Sequence, residues 1–158
     1  MKLLYVCTHN RCRSILSEAV TRSRAGSLID VRSAGSQPVG EVHPLSLKYL
    51  QQTGYDIDRL VSESWDAYVD WSPDIVITVC DRAAGEACPL YLGSAIKLHW
   101  GLQDPSALRG TEEQIAAAFL STITCIEQRV DQFVTVAQLP PAHWQSALSS
   151  TVPYECSD

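Results

Sequence analysis

The sequence predicts an α/β fold built on a parallel sheet. Three observations carry that prediction. Short apolar runs alternate with amphipathic helical stretches, the runs favour β-branched residues, and each run ends at a polar loop. At 158 residues the chain is close to the ~150 expected of one domain. With 46% apolar and 19% charged residues, its composition is that of an ordinary globular protein.

Taken in order, residues 2–6 (KLLYV) form an apolar run that stops abruptly, as a buried strand does. Ile15, Leu16, Ala19 and Val20 then share one face of a helix that begins near Arg13 or Ser14 and is closed by Gly26. Residues 29–33 read as a second strand. Pro44 opens a second helix reaching Gln52, with Leu45, Leu47 and Leu50 and a stop at Gly54. Residues 55–73 are mixed and polar, with a short helical stretch around 65–70.

Residues 74–79 (DIVITV) have the composition of a strand buried on both faces, and 95–99 make a shorter fourth strand. Thr111, Glu112 and Glu113 start the longest helix, along which Ile115, Phe119, Ile123, Ile126, Val130 and Phe133 recur at helical spacing. From Leu139 onward Pro140, Pro141, Pro153 and several serines argue against further helix. The expected organisation is one catalytic domain over 1–138 and a loosely ordered extension over 139–158.

Lys plus Arg number 12 and Asp plus Glu 18, a formal charge of -6, which argues against a nucleic-acid module. It leaves room for a local basic pocket that takes a small anion. The apolar run at 3–6 is too short for a secretion signal, and nothing later approaches the ~20 apolar residues of a membrane span. The expectation is a cytoplasmic protein with no membrane and no nucleic-acid partner.

Six cysteines stand at 7, 12, 80, 88, 125 and 156. Without an export signal they do not support a disulfide framework. There is no Cys-x-x-Cys pair, and His9, His43, His99 and His143 are scattered, so zinc is not supported either. Redox or nucleophilic chemistry is left.

The strongest local signal is Cys7-Thr8-His9-Asn10-Arg11-Cys12-Arg13-Ser14, which follows a strand and opens a helix. Cys-x5-Arg alone is a weak pattern, but this context makes it a loop able to wrap a tetrahedral oxyanion. Backbone N–H groups between Cys7 and Arg13 and the helix N-terminus supply positive potential, and Arg13 supplies a bidentate fork. The same field is expected to make Cys7 a thiolate at neutral pH, with Ser14 able to donate to its sulfur.

The C-x-x-N-x-C-R-S loop resembles that of the low-molecular-weight protein tyrosine phosphatases and the arsenate reductases on the same fold. The resemblance extends through Ser33-Ala34-Gly35 and His99-Trp100-Gly101-Leu102-Gln103-Asp104-Pro105, and covers roughly residues 2 to 137. It implies a three-layer sandwich in which helices flank a four-stranded parallel sheet. It also implies that Cys7 is the nucleophile, that Arg13 and the loop residues Thr8, His9, Asn10, Arg11, Cys12 and Ser14 bind the oxyanion, and that Asp104 is the general acid. One position departs from the pattern: such families usually have Gly before the Asn, where this chain has His9, and a left-handed backbone there is harder for His.

Cys80 directly follows the DIVITV run, and Cys88-Pro89 comes eight residues later. Arsenate reductases of the thioredoxin-linked type look like this. Their cycle implies that Cys7 attacks arsenate, Cys80 attacks Cys7, and Cys88 captures Cys80 as a disulfide. That disulfide would be reopened by an external thiol reductant, thioredoxin or glutaredoxin with glutathione, and no cofactor would be bound. Phosphate and sulfate would mimic the substrate, and relatives are usually monomers. A potassium ion sits near the loop in some thioredoxin-linked relatives. The matching residues are Asn10, Glu18, Ser33 and Glu63, with ordinary polar loop and helix residues as the competing reading.

Two other readings stay open. A phosphatase would need only Cys7, Arg13 and Asp104, but tyrosine phosphatases of this fold usually carry an aromatic after Asp-Pro, where this chain has Ser106. A binding module would hold arsenite or a soft metal on Cys7, Cys80 and Cys88 without turnover. Buried cysteine is commonly structural, so inert Cys80 and Cys88 are the competing reading of the relay. Cys12 reads as structural, with a protective disulfide to Cys7 as the alternative, and Cys125 as a core residue of the last helix.

Overall fold

The structure, a computed structural model, describes residues 1–80 and 93–150. Four parallel strands form one sheet in the order β2-β1-β3-β4: β1 Lys2–Cys7, β2 Asp30–Gly35, β3 Ile75–Thr78 and β4 Ile96–His99. Helices α1 (Arg13–Ala25), α2 (Pro44–Gln52), α3 (Glu112–Ala137) and α4 (Trp144–Ser150) accompany it, with α1 packed along α3. The parallel sheet flanked by helices is the expected fold, and the expected strands and long helices form within a residue or two of their sequence positions.

The central strands explain the stability of this arrangement. Leu3, Leu4, Tyr5 and Val6 of β1, and Ile75, Val76 and Ile77 of β3, are buried on both faces of the sheet. At about 25 cal/mol per Å² of apolar surface removed from water, each such side chain contributes roughly 1.5–3 kcal/mol. On α3 the same stripe read from the sequence is buried at Phe119, Ile123, Ile126, Val130 and Phe133. The α3 N-terminus carries a full capping box, Thr111 accepting from Gln114 N–H while the Gln114 side chain accepts from Thr111 N–H.

The chain after Leu139 differs from expectation. Pro140 and Pro141 do end α3, but Pro141–His143 makes a 3-10 turn that leads into α4. Trp144 and Leu148, one turn apart, are buried against the core, and the Trp144 indole N–H donates to Leu139 O at 3.0 Å. An aromatic anchor with a satisfied N–H outweighs the helix-breaking composition around it. The extension is therefore docked as far as Ser150, while Cys156 lies outside the described residues.

Candidate active site

The loop grows directly out of β1. Cys7 ends the strand and is 6% exposed, and α1 begins at Arg13. No side chain caps α1 and no acid stands in its first turn, so its N-terminal N–H groups remain available to an anion.

Asn10 holds the loop's shape. It is fully buried and left-handed, with φ 49°. Its amide donates to Ser14 Oγ (2.8 Å) and Ser33 Oγ (3.0 Å), and its Oδ1 accepts from Glu63 N (2.9 Å). Asn tolerates this conformation better than most residues and here is tied into it on every side. His9 is exposed and does not take a positive φ, so the expected strain at that position does not arise.

Gly35 shows why the Ser33-Ala34-Gly35 run belongs to the site. A β-carbon there would lie 2.7 Å from Thr8 O and 3.1 Å from Asn10 N. Only glycine lets β2 approach the loop so closely.

On the other side, β3 lies next to β1, with Val6 in register with Thr78. This juxtaposition brings Cys80 to the loop: Thr8 Oγ1 lies 3.7 Å from Cys80 Sγ, and the Cys80 sulfur stands close enough to Cys7 to act on its thiol. Both cysteines, with Cys12, are reduced thiols.

The segment after β4 carries the acid. Trp100 N–H donates to Thr78 O (2.9 Å) and Leu102 N–H to Val79 O (3.1 Å), and Gly101 takes φ 56° between them. Trp100 is sandwiched between Tyr5 and Phe133, with the Arg129 guanidinium over its ring. These contacts deliver Asp104, whose Oδ2 lies 3.6 Å from Arg13 Nη2. Arg13 Nη1 donates to Leu102 O at 3.1 Å, while the buried Nε atoms of Arg11 and Arg13 have no partner among the described residues. Buried guanidinium N–H groups at a helix N-terminus are suited to receiving oxyanion oxygens.

At Cys7 opposing influences meet. Its thiol is pushed up from the usual range, first by the hydrogen bond with Cys80, then by burial and by the charge of Cys80. Arg13 and the Thr8 N–H act in the opposite direction and are outweighed. The loop field does favour the thiolate, as the sequence argument held. That argument lacked the second buried sulfur, and two thiols in contact cannot both ionise freely.

The profile of the low molecular weight phosphotyrosine protein phosphatases matches residues 2–142. The chain belongs to that family. Among its relatives, an arsenate reductase of Halalkalibacterium halodurans is 33% identical over 131 residues, 83% of this chain and 93% of its own length. A solved arsenate reductase in a phosphate-binding state superposes with a TM-score of 0.71 at 26% identity, covering 85% of this chain and 96% of that one. A thioredoxin-dependent arsenate reductase of Corynebacterium glutamicum superposes at 0.63 with 29% identity, covering 95% of this chain and 63% of that one.

Of the residues that the family resemblance singled out, the structure gathers Cys7, Arg13, Cys80, Asp104, Asn10 and Ser14 at one end of the sheet. Cys88 lies outside the described residues. Glu18, Ser33, Glu63 and Asn10 cluster behind the loop, where Glu18 is buried and its carboxyl is pushed up to about 7. Burial is the main cause, aided by Glu63 and opposed by Arg22 and Arg32. Sequence reasoning missed Tyr68, which donates to Glu63, and Ser46, whose hydroxyl donates to Arg11 O at 3.3 Å. Neither lies in a recognisable motif. Cys125 is buried in the core on α3, as expected.

Proposed function

We infer that this chain is an arsenate reductase working through a thiol-disulfide relay. The observation that carries the reading is the placement of Cys80 beside Cys7 at the oxyanion loop, where the carboxyl ends of β1 and β3 lie side by side. A phosphatase needs one sulfur there, and a reductase needs two.

In the proposed cycle the loop amides, the α1 N-terminus and Arg13 hold arsenate against Cys7. The Cys7 thiolate attacks arsenic, an As–O bond breaks, and Asp104 protonates the departing oxygen as water. Release of the Cys7 proton is eased when Cys80 retains its own. Cys80, now deprotonated, attacks the Cys7 sulfur: an S–S bond forms, the As–S bond breaks, and its electron pair leaves with arsenic as arsenite. Cys88 attacks Cys80, forming the Cys80–Cys88 disulfide and freeing Cys7. A dithiol reductant, thioredoxin, closes the cycle by reducing that disulfide, with glutaredoxin and glutathione as the other route.

The cluster behind the loop suits an alkali cation. Among the described residues no three His, Cys, Asp or Glu side chains gather as for zinc or a transition metal. A hard monovalent ion instead takes amide, hydroxyl and carboxylate oxygens, which Asn10, Ser33, Glu18 and Glu63 supply. Burial is what raises the Glu18 carboxyl, although Arg22 lies 3.3 Å away and Arg32 also favours its ionised form. A bound potassium ion would favour that form further.

We place the protein in the cytoplasm as a monomer. Thioredoxin-type reductants work on reduced thiols there, and no helix among the described residues is long and apolar enough to cross a membrane. The phosphatase reading retains the same Cys7, Arg13 and Asp104, but Ser106 gives no aromatic wall for a phenyl ring.

The test is arsenate-dependent NADPH oxidation in the presence of thioredoxin and thioredoxin reductase. Wild type should turn over many arsenate ions per chain, while Cys7→Ser and Cys80→Ser should not. Cys88→Ser should lose thioredoxin-linked turnover. Normal multiple turnover by Cys80→Ser would overturn the relay, and a single stoichiometric binding event in wild type would point to sequestration instead.

A further inference from the structure

We propose that Ser106 is a positioning residue for Asp104, fixing which carboxyl oxygen carries the proton given to the departing oxygen. The inference rests on reading Asp104 as the general acid.

Asp104 caps the 3-10 turn Pro105–Ala107. Its Oδ1 accepts two hydrogen bonds from one residue, Ser106 N–H at 3.0 Å and Ser106 O–H at 2.6 Å. A carboxyl oxygen with two donors directed at it is the wrong place for a proton, since protonation there would set hydrogen against hydrogen. The proton is therefore directed to Oδ2, the oxygen that lies 3.6 Å from Arg13 and faces the oxyanion loop. Pro105 adds to this arrangement by having no N–H to compete for the carboxylate.

The hydroxyl and the N–H of Ser106 thus bind one and the same oxygen, which fixes the plane of the Asp104 carboxyl within the turn. A serine after Asp-Pro is on this reading an active component of the acid and not merely a small replacement for an aromatic.

The experiment measures kcat/KM for arsenate in the thioredoxin-coupled assay. The series comprises wild type, Ser106→Ala, Ser106→Gly, Ser106→Thr, Asp104→Asn and Asp104→Asn with Ser106→Ala. Losing the hydroxyl should lower kcat/KM by about 10- to 100-fold, the range expected when a general acid is misoriented. Ser106→Thr, which keeps a hydroxyl, should recover most of the rate, and Ser106→Gly should behave as Ser106→Ala.

In the Asp104→Asn background Ser106→Ala should have no further effect. An equal loss in both backgrounds, or a Ser106→Thr variant as impaired as Ser106→Ala, overturns the proposal. If Asp104→Asn is fully active while Cys7→Ser is dead, the general-acid role falls and this inference with it, and the Cys7 reading stands. If wild type fails on arsenate, only the reductase reading is sunk, and hydrolysis of phenyl phosphate then carries the same comparison.

Discussion

Cys80 stands beside Cys7 at the carboxyl ends of two neighbouring strands, 3.7 Å from Thr8 Oγ1, and its sulfur opposes the ionisation of Cys7 that the anion-binding loop favours. Removing the second sulfur should therefore release the first. In Cys80→Ala the pH midpoint for alkylation of Cys7 by iodoacetamide should fall by more than about one unit, since the largest cause of its raised value is gone. Mass spectrometry of the labelled peptide reads this out. An unchanged midpoint would assign the raised value to burial alone.

Gly35 should not tolerate a side chain. In Gly35→Ala the new β-carbon would meet Thr8 O at 2.7 Å, backbone against backbone, so the strand or the loop must shift. We expect a loss of about 1–3 kcal/mol in urea unfolding, as for overpacking elsewhere, together with a larger loss of arsenate turnover. Full stability and full activity together would contradict the close approach.

His43 should make stability pH-dependent on the acid side. It caps α2, its Nδ1 accepting Leu45 N–H at 3.1 Å, and burial, Arg11 and the need for that lone pair hold its pKa below the ordinary 6.5. Between the two values the unfolded chain binds the extra proton. The cap's contribution is thus complete above about pH 6.5 and is lost as pH falls through the lower, folded value. His43→Asn keeps an acceptor for Leu45 N–H but does not titrate in this range, so its urea midpoint should vary less between pH 7.5 and 5 than that of wild type. Parallel slopes would remove His43 from the acid response.

Trp144→Ala should destabilise the whole domain and not only its end. The indole is 8% exposed and anchored to Leu139 O, and truncating a buried aromatic costs about 3–5 kcal/mol. A single unfolding transition shifted to lower urea is expected by circular dichroism. An unshifted midpoint would restore the loose extension that composition suggests.

Much of this molecule could be read along the chain because it depends on neighbours in sequence. The apolar run of β1, the valine and isoleucines of β3 and the period of Phe119, Ile123, Ile126 and Val130 are local patterns, and they place strands and helices without any knowledge of the fold. The loop from Cys7 to Ser14 was visible for the same reason. Ser46 was not, since it meets Arg11 only in the folded chain, and neither it nor Tyr68 stands in a motif.

The residues by themselves determined an oxyanion loop between a strand and a helix, with an Asp-Pro to serve it. The strand order decided the rest: it set Cys80 against Cys7 and so raised the thiol that the loop's field alone would have ionised. Positive φ at Asn10, the clearance at Gly35 and the docking of Trp144 were likewise settled in three dimensions. Dipoles and helical periods are short-range and written in consecutive residues, whereas desolvation and contact between distant side chains exist only after the chain has packed.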